Sequence, residues 1–494
     1  LAGIGHLSDL GSFFVSHGLS LLVSQGAALA AIAQVGDLSM GQPLGHSLRV
    51  ARLARQLAQA SLGEGAHLNV AEHVALLRWS GCTANAEGFS HLLGDDVDGR
   101  RAMLDQTLAA DSMRAIHEAG SLAVVHCEVS EQVASTLGLG ADVEAALYRV
   151  FETYDGTGRP VGLQHGQIPE AVYQVVLAGD LEILSRTHGL TAALEWIGRQ
   201  ADQRYPASLV ALLQRHAGEW LAQLECNTPA GSAAGQAQNQ VPLSLVGDVI
   251  DLKLPWLAGH SRHVAQIAME AGRLWGLLDT AQTELGKAAL VHGLGRAAVS
   301  NQIWNSTGAL PFGAAERVHL VPYWTQKACK PITELKRPGD IAAHAYERLD
   351  GSGYFRGLQA DALSPEHRLL AAANAWVALR STRPWRAAHD IAQAQAALRQ
   401  DANRGGFDSD ICEAVLAAAT GEQRLLQPKS ALLTARECDI LTEISRGASN
   451  KEVARTLSIS PSTVRTHMES IFRKLECSTR AAATLKGLTL GLIS

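Results

Sequence analysis

Cysteine is sparse and never paired in this chain. The seven residues (Cys82, Cys127, Cys226, Cys329, Cys412, Cys438, Cys477) are odd in number, widely spread and nowhere arranged as CxxC. That argues against a disulfide framework and a cysteine zinc site, and fits a reducing cytosol. No glycine-rich phosphate loop, HExxH element or Ser-His-Asp arrangement is visible, so none of those chemistries is indicated. Long uninterrupted apolar runs are also missing: the stretch 18–35 is broken by Ser20, Ser24, Gln25 and Gln34, and no Lys or Arg precedes Arg49. A signal peptide or membrane span is therefore not expected, and a packing or dimer helix in a cytoplasmic protein is. The first residue is Leu rather than Met, so the natural start is expected upstream.

What is present is mostly helical. Alanine and leucine dominate the 494 residues, β-branched runs are few, and helical periodicity prevails over alternation, which predicts an all-α protein. The length exceeds what one core serves and points to about three domains. Internal repeats divide it. LGHSLRVARLA from Leu44 matches AGHSRHVAQIA from Ala258, and ALLRWSGC from Ala75 matches ALVHGLGR from Ala289, both at an offset of 214. FETYDGTGRPVGL from Phe151 matches YERLDGSGYFRGL from Tyr346 at an offset of 195. We read a tandem helical unit at 1–226 and 242–420, a low-charge linker at 227–241, a polar joint at 421–430 and a separate tail at 431–494.

The tail parses into four short helices. Thr434 with Glu437 and Ser449 with Glu452 form capping boxes, Ser460 precedes Pro461 at a helix start, and Ser478 or Thr479 caps the last helix. The middle pair, Asn450–Leu457 and Pro461–Leu475, is joined by so short a turn that the second helix is exposed. Val464, Met468, Ile471 and Leu475 are predicted to face the core. Ser462, Thr463, Arg465 and Thr466 are left to meet bases, and Lys451, His467, Arg473 and Lys474 to meet phosphates. From Ala431 onward nine Lys and Arg face six Asp and Glu, a surplus of three positive charges in a chain of net charge −6. The segment resembles the LuxR/NarL-type helix-turn-helix, through Leu433, Thr434, Arg436, Glu437, Gly447, Ser449, Asn450, Lys451, Glu452, Val464 and His467 among others. The resemblance implies double-stranded DNA as partner and a homodimer formed by the last helix, Thr479–Leu490. Glu469 departs from the usual basic or neutral residue there.

The second repeat, with GHS at Gly259, VHGLGR at Val291, ERLDGSGYFRGL at Glu347, AAANAW at Ala371 and STRPWR at Ser381, is similar to HD-GYP domains, and the first resembles a more distant relative. Such domains are helical metallohydrolases that open cyclic dinucleotides with metals held by histidines and aspartates. Carried over position by position, His260 and His292 stand where ligands are expected, Gly293 and Asn374 replace aspartates, Arg296 replaces a lysine, and Val321, Ala345 and Tyr346 replace further ligands. In the first repeat His46 and His126 remain, Arg78 and Trp79 stand at the HD pair, and Gly179 lies near the final aspartate. Two imidazoles without carboxylates make a poor centre for a hard metal. The expectation is therefore a pair of degenerate HD-like domains with no metal, cofactor or catalytic residues, and a chain that is not an enzyme. An emptied pocket formed by His260, His292, Trp256, Val321, Tyr323, Trp324, Tyr346 and Asn374 would take a neutral or apolar effector. The alternative is a metal-dependent phosphodiesterase acting on a cyclic dinucleotide, coupled to DNA binding.

Overall fold

The computed structural model describes residues 21–226, 239–421, 433–475, 477–489 and 492–493. Most of the linker at 227–241, most of the joint at 421–430, and Leu490 lie outside the described residues, as do residues 18–20 of the apolar stretch. By its contacts the chain divides into two compact units, 1–424 and 425–494.

The first unit is built around the helix Gln25–Ser39. Ser24 caps it by accepting the Ala27 amide, and its alanine-rich sequence leaves room for neighbours on every side, so nearly all of it is buried. It packs on His46–Leu62 and His67–Leu77 from the first half, and on Ser244–Asp251, the turn Leu294–Ala298 and Val321–Cys329 from the second. This is the packing helix expected of the interrupted apolar stretch, and two of the interrupting polar residues, Gln25 and Gln34, are satisfied inside the protein. Gln25 Nε2 donates to the Leu137 carbonyl at 2.6 Å, and Gln34 Oε1 accepts the Gly45 amide at 3.0 Å. Among the described residues the only sheet is a short antiparallel ladder, strand β1 (Leu22–Ser24) with strand β2 (Gln240–Pro242), Val23 opposite Val241. The all-α reading holds apart from this clasp. No described helix is long and apolar enough to cross a membrane.

Matching sequence segments build matching local structure in the two halves. Gly45 (φ 87°) and Gly259 (φ 73°) adopt the left-handed conformation that glycine tolerates best, and each places a histidine, His46 or His260, at the first position of the next helix. Asp37 accepts from the Ser47 amide and hydroxyl, as Asp251 does from those of Ser261, and burial pushes each carboxyl up to about 7. Buried Glu152 accepts the amides of Val161, Gly162 and Leu163, and buried Glu347 those of Arg356 and Leu358. These carboxylates hold the two DG-containing loops in shape.

The halves meet through buried charge. Asp96 accepts from Lys253 Nζ at 2.7 Å and from the Asn301 amide at 2.6 Å, and Asn301 Nδ2 donates to the Lys253 carbonyl at 2.9 Å. At the rim, Arg317 bonds Asp95 and Asp98.

The second unit is a four-helix domain comprising Ala435–Ser445, Asn450–Thr456, Pro461–Lys474 and Arg480–Thr489. Both predicted capping boxes form, Ser460 caps the third helix through the Thr463 amide, and Thr479 Oγ1 accepts the Ala482 amide. Val464, Met468, Ile471 and Leu475 are buried with Leu433, Ile440 and Val453.

Candidate functional site: an arginine-lined pocket and an exposed helix

In the second half, the helix starting at His260, the turn Leu294–Ala298, the loop 346–358 and the helix Pro365–Arg380 surround a cavity of about 350 Å³. At its base lies the Arg296 guanidinium. Arg296 Nη2 donates to His292 Nε2 at 3.0 Å and to Tyr346 Oη at 2.8 Å, and Nε donates to the same hydroxyl at 3.1 Å. His292 is fixed from behind, its Nδ1–H donating to the Ala289 carbonyl at 2.6 Å. His260 Nε2–H donates to Asn374 Oδ1 at 3.1 Å, and Arg296 Nη2 sits 3.3 Å from the same nitrogen. Burial and the adjacent guanidinium push His292 down to about 3 and His260 well below the ordinary histidine range, so both are neutral. Gly293 is what admits the arginine: a Cβ there would lie 2.8 Å from Arg296 Nη1.

The first half repeats the arrangement. Arg78 Nη2 donates to His46 Nε2 at 2.6 Å, His46 Nδ1–H donates to Glu182 at 2.6 Å, and a Cβ on Gly179 would fall 1.9 Å from Arg78 Nη1. A metal ion does not fit either place. The imidazole nitrogens that would bind it face a guanidinium, and the described residues contain no group of three or more His, Cys, Asp or Glu able to hold one.

Of the predicted pocket residues, Trp256, His260, Tyr346 and Asn374 line the cavity, while His292 is buried beneath Arg296. Val321, Tyr323 and Trp324 do not line it. Val321 is buried with its carbonyl against Gly295, and Tyr323 packs on Trp324 and Phe355. Sequence reasoning missed Arg296 as a lining residue, and with it Arg348, Arg383, Trp304, Tyr354 and Trp385. The RPWR segment was the available signal, since it supplies Arg383 and Trp385. Among the described residues three arginines and no Asp or Glu line the cavity that was expected to take a neutral or apolar effector. Arg383 lies over the Trp256 ring at 4.5 Å, and burial together with Arg296 lowers it to about 10. Arg383 Nη1 and Arg296 Nη1 are buried without a hydrogen-bond partner among the described residues, although Asp251 lies 4.0 Å from the latter.

In the second unit Ser462, Thr463, Arg465 and Thr466 are exposed on the helix Pro461–Lys474, with Lys451 and Arg473 exposed beside them and His467 half-buried. Arg465 Nε pairs with Glu469 at 3.1 Å. Lys474, expected to meet a phosphate, also has a partner within the domain: its Nζ donates to Glu437 at 2.6 Å and ties the first helix to the third, while the side chain remains 32% exposed. Although burial disfavours the charge, the bonds from Lys474 and the Thr434 amide outweigh it and bring Glu437 down to about 2.

Comparison with known proteins shows which families these segments resemble. The HD domain family matches residues 244–411, and the family of bacterial regulatory proteins of the luxR type matches 431–486. The chain is 24% identical over 406 residues to 3'3'-cGAMP-specific phosphodiesterase 3 of Vibrio cholerae, covering 74% of this chain and 88% of that protein. It is 30% identical over 163 residues to a cyclic di-GMP phosphodiesterase of Pseudomonas aeruginosa, covering 32% of this chain and 38% of the other. The tail is 46% identical over 54 residues to the nitrate/nitrite response regulator NarP of Escherichia coli, covering 11% and 25% respectively. The crystal structure of a cyclic GMP-AMP-specific phosphodiesterase of V. cholerae superposes with a TM-score of 0.57 at 21% identity, over 81% of this chain and 98% of that one, and so shares the fold. The expectation that the chain is not an enzyme is overturned by this similarity, which runs over most of its length to proteins named for phosphodiesterase activity. Residues 244–411 are an HD domain and residues 431–486 a DNA-binding domain of the luxR family of bacterial regulatory proteins, joined in one chain.

Proposed function

We propose that the chain is a cytoplasmic transcription regulator that binds double-stranded DNA through Pro461–Lys474 and receives an anionic effector of the cyclic dinucleotide class in its HD domain. The reading is carried by the pair Arg296 and Arg383, whose buried Nη1 groups lack hydrogen-bond partners among the described residues. A buried donor without a partner is costly, and two phosphate oxygens would satisfy both guanidinium groups. Trp256, Trp304 and Trp385 offer apolar faces suited to bases. The names of the relatives supply the ligand class. The matching local structure of the two halves supports an origin by duplication, with domains at 1–226 and 242–420. A homodimer through Arg480–Thr489 belongs to the same reading, in which the effector shifts the population of DNA-competent dimers by binding one arrangement better.

Titrating the full chain with 3'3'-cGAMP and with cyclic di-GMP by calorimetry tests it. One site per chain is expected, together with a change in DNA affinity when the pocket is filled. Absence of binding by either nucleotide sinks the proposal. A second reading, hydrolysis of the bound nucleotide, is favoured by the activity named for the relatives. Chromatography of the incubated nucleotide for a linear product, repeated with His292→Ala, decides between a retained and a cleaved ligand.

A further inference from the structure

The first half contains a second cavity, of about 370 Å³, with a different character. This falls within the roughly 300–1,000 Å³ of small-molecule sites. Its apolar wall includes Met40, Met103 and Met113 with Phe89, Ile116 and Ile183. Unbranched methionine adapts to an irregular or flexible occupant more readily than branched side chains do. Met113 and Phe151 are each more than a third exposed and mark an entrance to solvent.

The charges around this cavity do not balance. Arg78, Arg100, Arg159 and Arg204 line it against Glu152 and Asp180, an excess of two positive charges. Both carboxylates are committed elsewhere: Glu152 to three backbone amides, and Asp180 to the Tyr205 hydroxyl and to Arg204 at 3.1 Å. Arg100 is likewise engaged, donating to Asn85 Oδ1 at 2.6 Å. Arg78 is different. It is 6% exposed, one Nη bonds His46, and its Nε–H has no hydrogen-bond partner among the described residues. A buried guanidinium donor at the end of an apolar chamber calls for an acceptor carried in on an apolar body.

We propose that this cavity is a separate ligand site that takes an amphipathic molecule with a flexible hydrocarbon body and a single anionic head received by Arg78, of the medium-chain carboxylate class. The inference does not rest on the reading of the second-half pocket. Sodium octanoate and 1-octanol, titrated into the full chain by calorimetry and followed by thermal unfolding, provide the test. Octanoate is expected to saturate one site per chain and raise the unfolding temperature, with octanol at least tenfold weaker. Arg78→Gln should reduce octanoate affinity at least tenfold and bring it to the level of octanol. Ala123→Phe fills the chamber from its half-buried wall and keeps Arg78, so it should abolish binding of both probes and decides the matter if Arg78→Gln does not fold. Arg383→Gln, in the other half, should leave octanoate binding unchanged. No saturable binding, equal affinity for octanoate and octanol, full binding by Ala123→Phe, or loss of binding in Arg383→Gln would each overturn the proposal.

Discussion

Gly293 and Gly179 owe their place to the cation beside them. Replacing Gly293 by alanine puts a methyl 2.8 Å from Arg296 Nη1, and overpacking of this kind costs about 1–3 kcal/mol. Urea unfolding of Gly293→Ala should show that loss, and Gly293→Ala/Arg296→Met should recover most of it because the clash goes with the guanidinium. Arg383→Gln makes the opposite demand on stability. It removes a buried charge that faces Arg296, so the ligand-free protein should unfold at the same or a higher temperature while 3'3'-cGAMP binding weakens at least tenfold. That Gly293 matters was legible from the HD resemblance. That Arg296, three residues on, would fill the space was not, because the short turn Leu294–Ala298 swings the side chain back inward. Val321, Tyr323 and Trp324 failed as pocket residues for a related reason: nearness in sequence does not fix which side of a helix looks into a cavity.

The helix Pro461–Lys474 illustrates which features of an element are local. Its cap, its proline start and its buried stripe were all readable, since each depends on residues within one or two turns. Lys474 was not, because its partner Glu437 lies on another helix. Lys474→Met should therefore act first on folding, lowering stability by about 1.5–3 kcal/mol, the range for hydrogen bonds to charged groups. The sign with pH follows: Glu437 is held below its ordinary range, so its contribution is complete above pH 4.5 and fades as pH falls toward about 2. Acid unfolding of Lys474→Met should lack that part of the acid limb. Arg465→Ala should instead leave folding intact and cost about 1–3 kcal/mol of discrimination between a cognate and a scrambled duplex, read by gel shift at fixed salt. Because Glu469 holds Arg465, Glu469→Ala should tighten binding to both duplexes, the carboxylate near phosphate having gone.

At the scale of the whole molecule, the repeats pointed to two similar halves but not to how they meet. The reason is that Asp96 and Lys253 belong to no repeated segment, and neither has a counterpart at the matching site of the other half. Asp96→Asn leaves the buried Lys253 ammonium without its carboxylate, and breaking a buried pair from one side costs about 3–5 kcal/mol. Lys253 and Arg100 outweigh burial and hold Asp96 below the ordinary carboxylate range, so its contribution is present above that range and lost as pH falls through the lowered value. Thermal unfolding scanned against pH should show a steeper acid decline in the wild type than in Asp96→Asn. The same pair has a consequence for synthesis on the ribosome. The first half leaves the exit tunnel with Asp96 lacking its lysine and strand β1 lacking β2, and both partners are encoded later in the chain. The nascent chain must keep that charged, half-finished surface wet until translation passes Lys253, so a premature stop before that codon yields a first half whose intended interior is still solvent-facing.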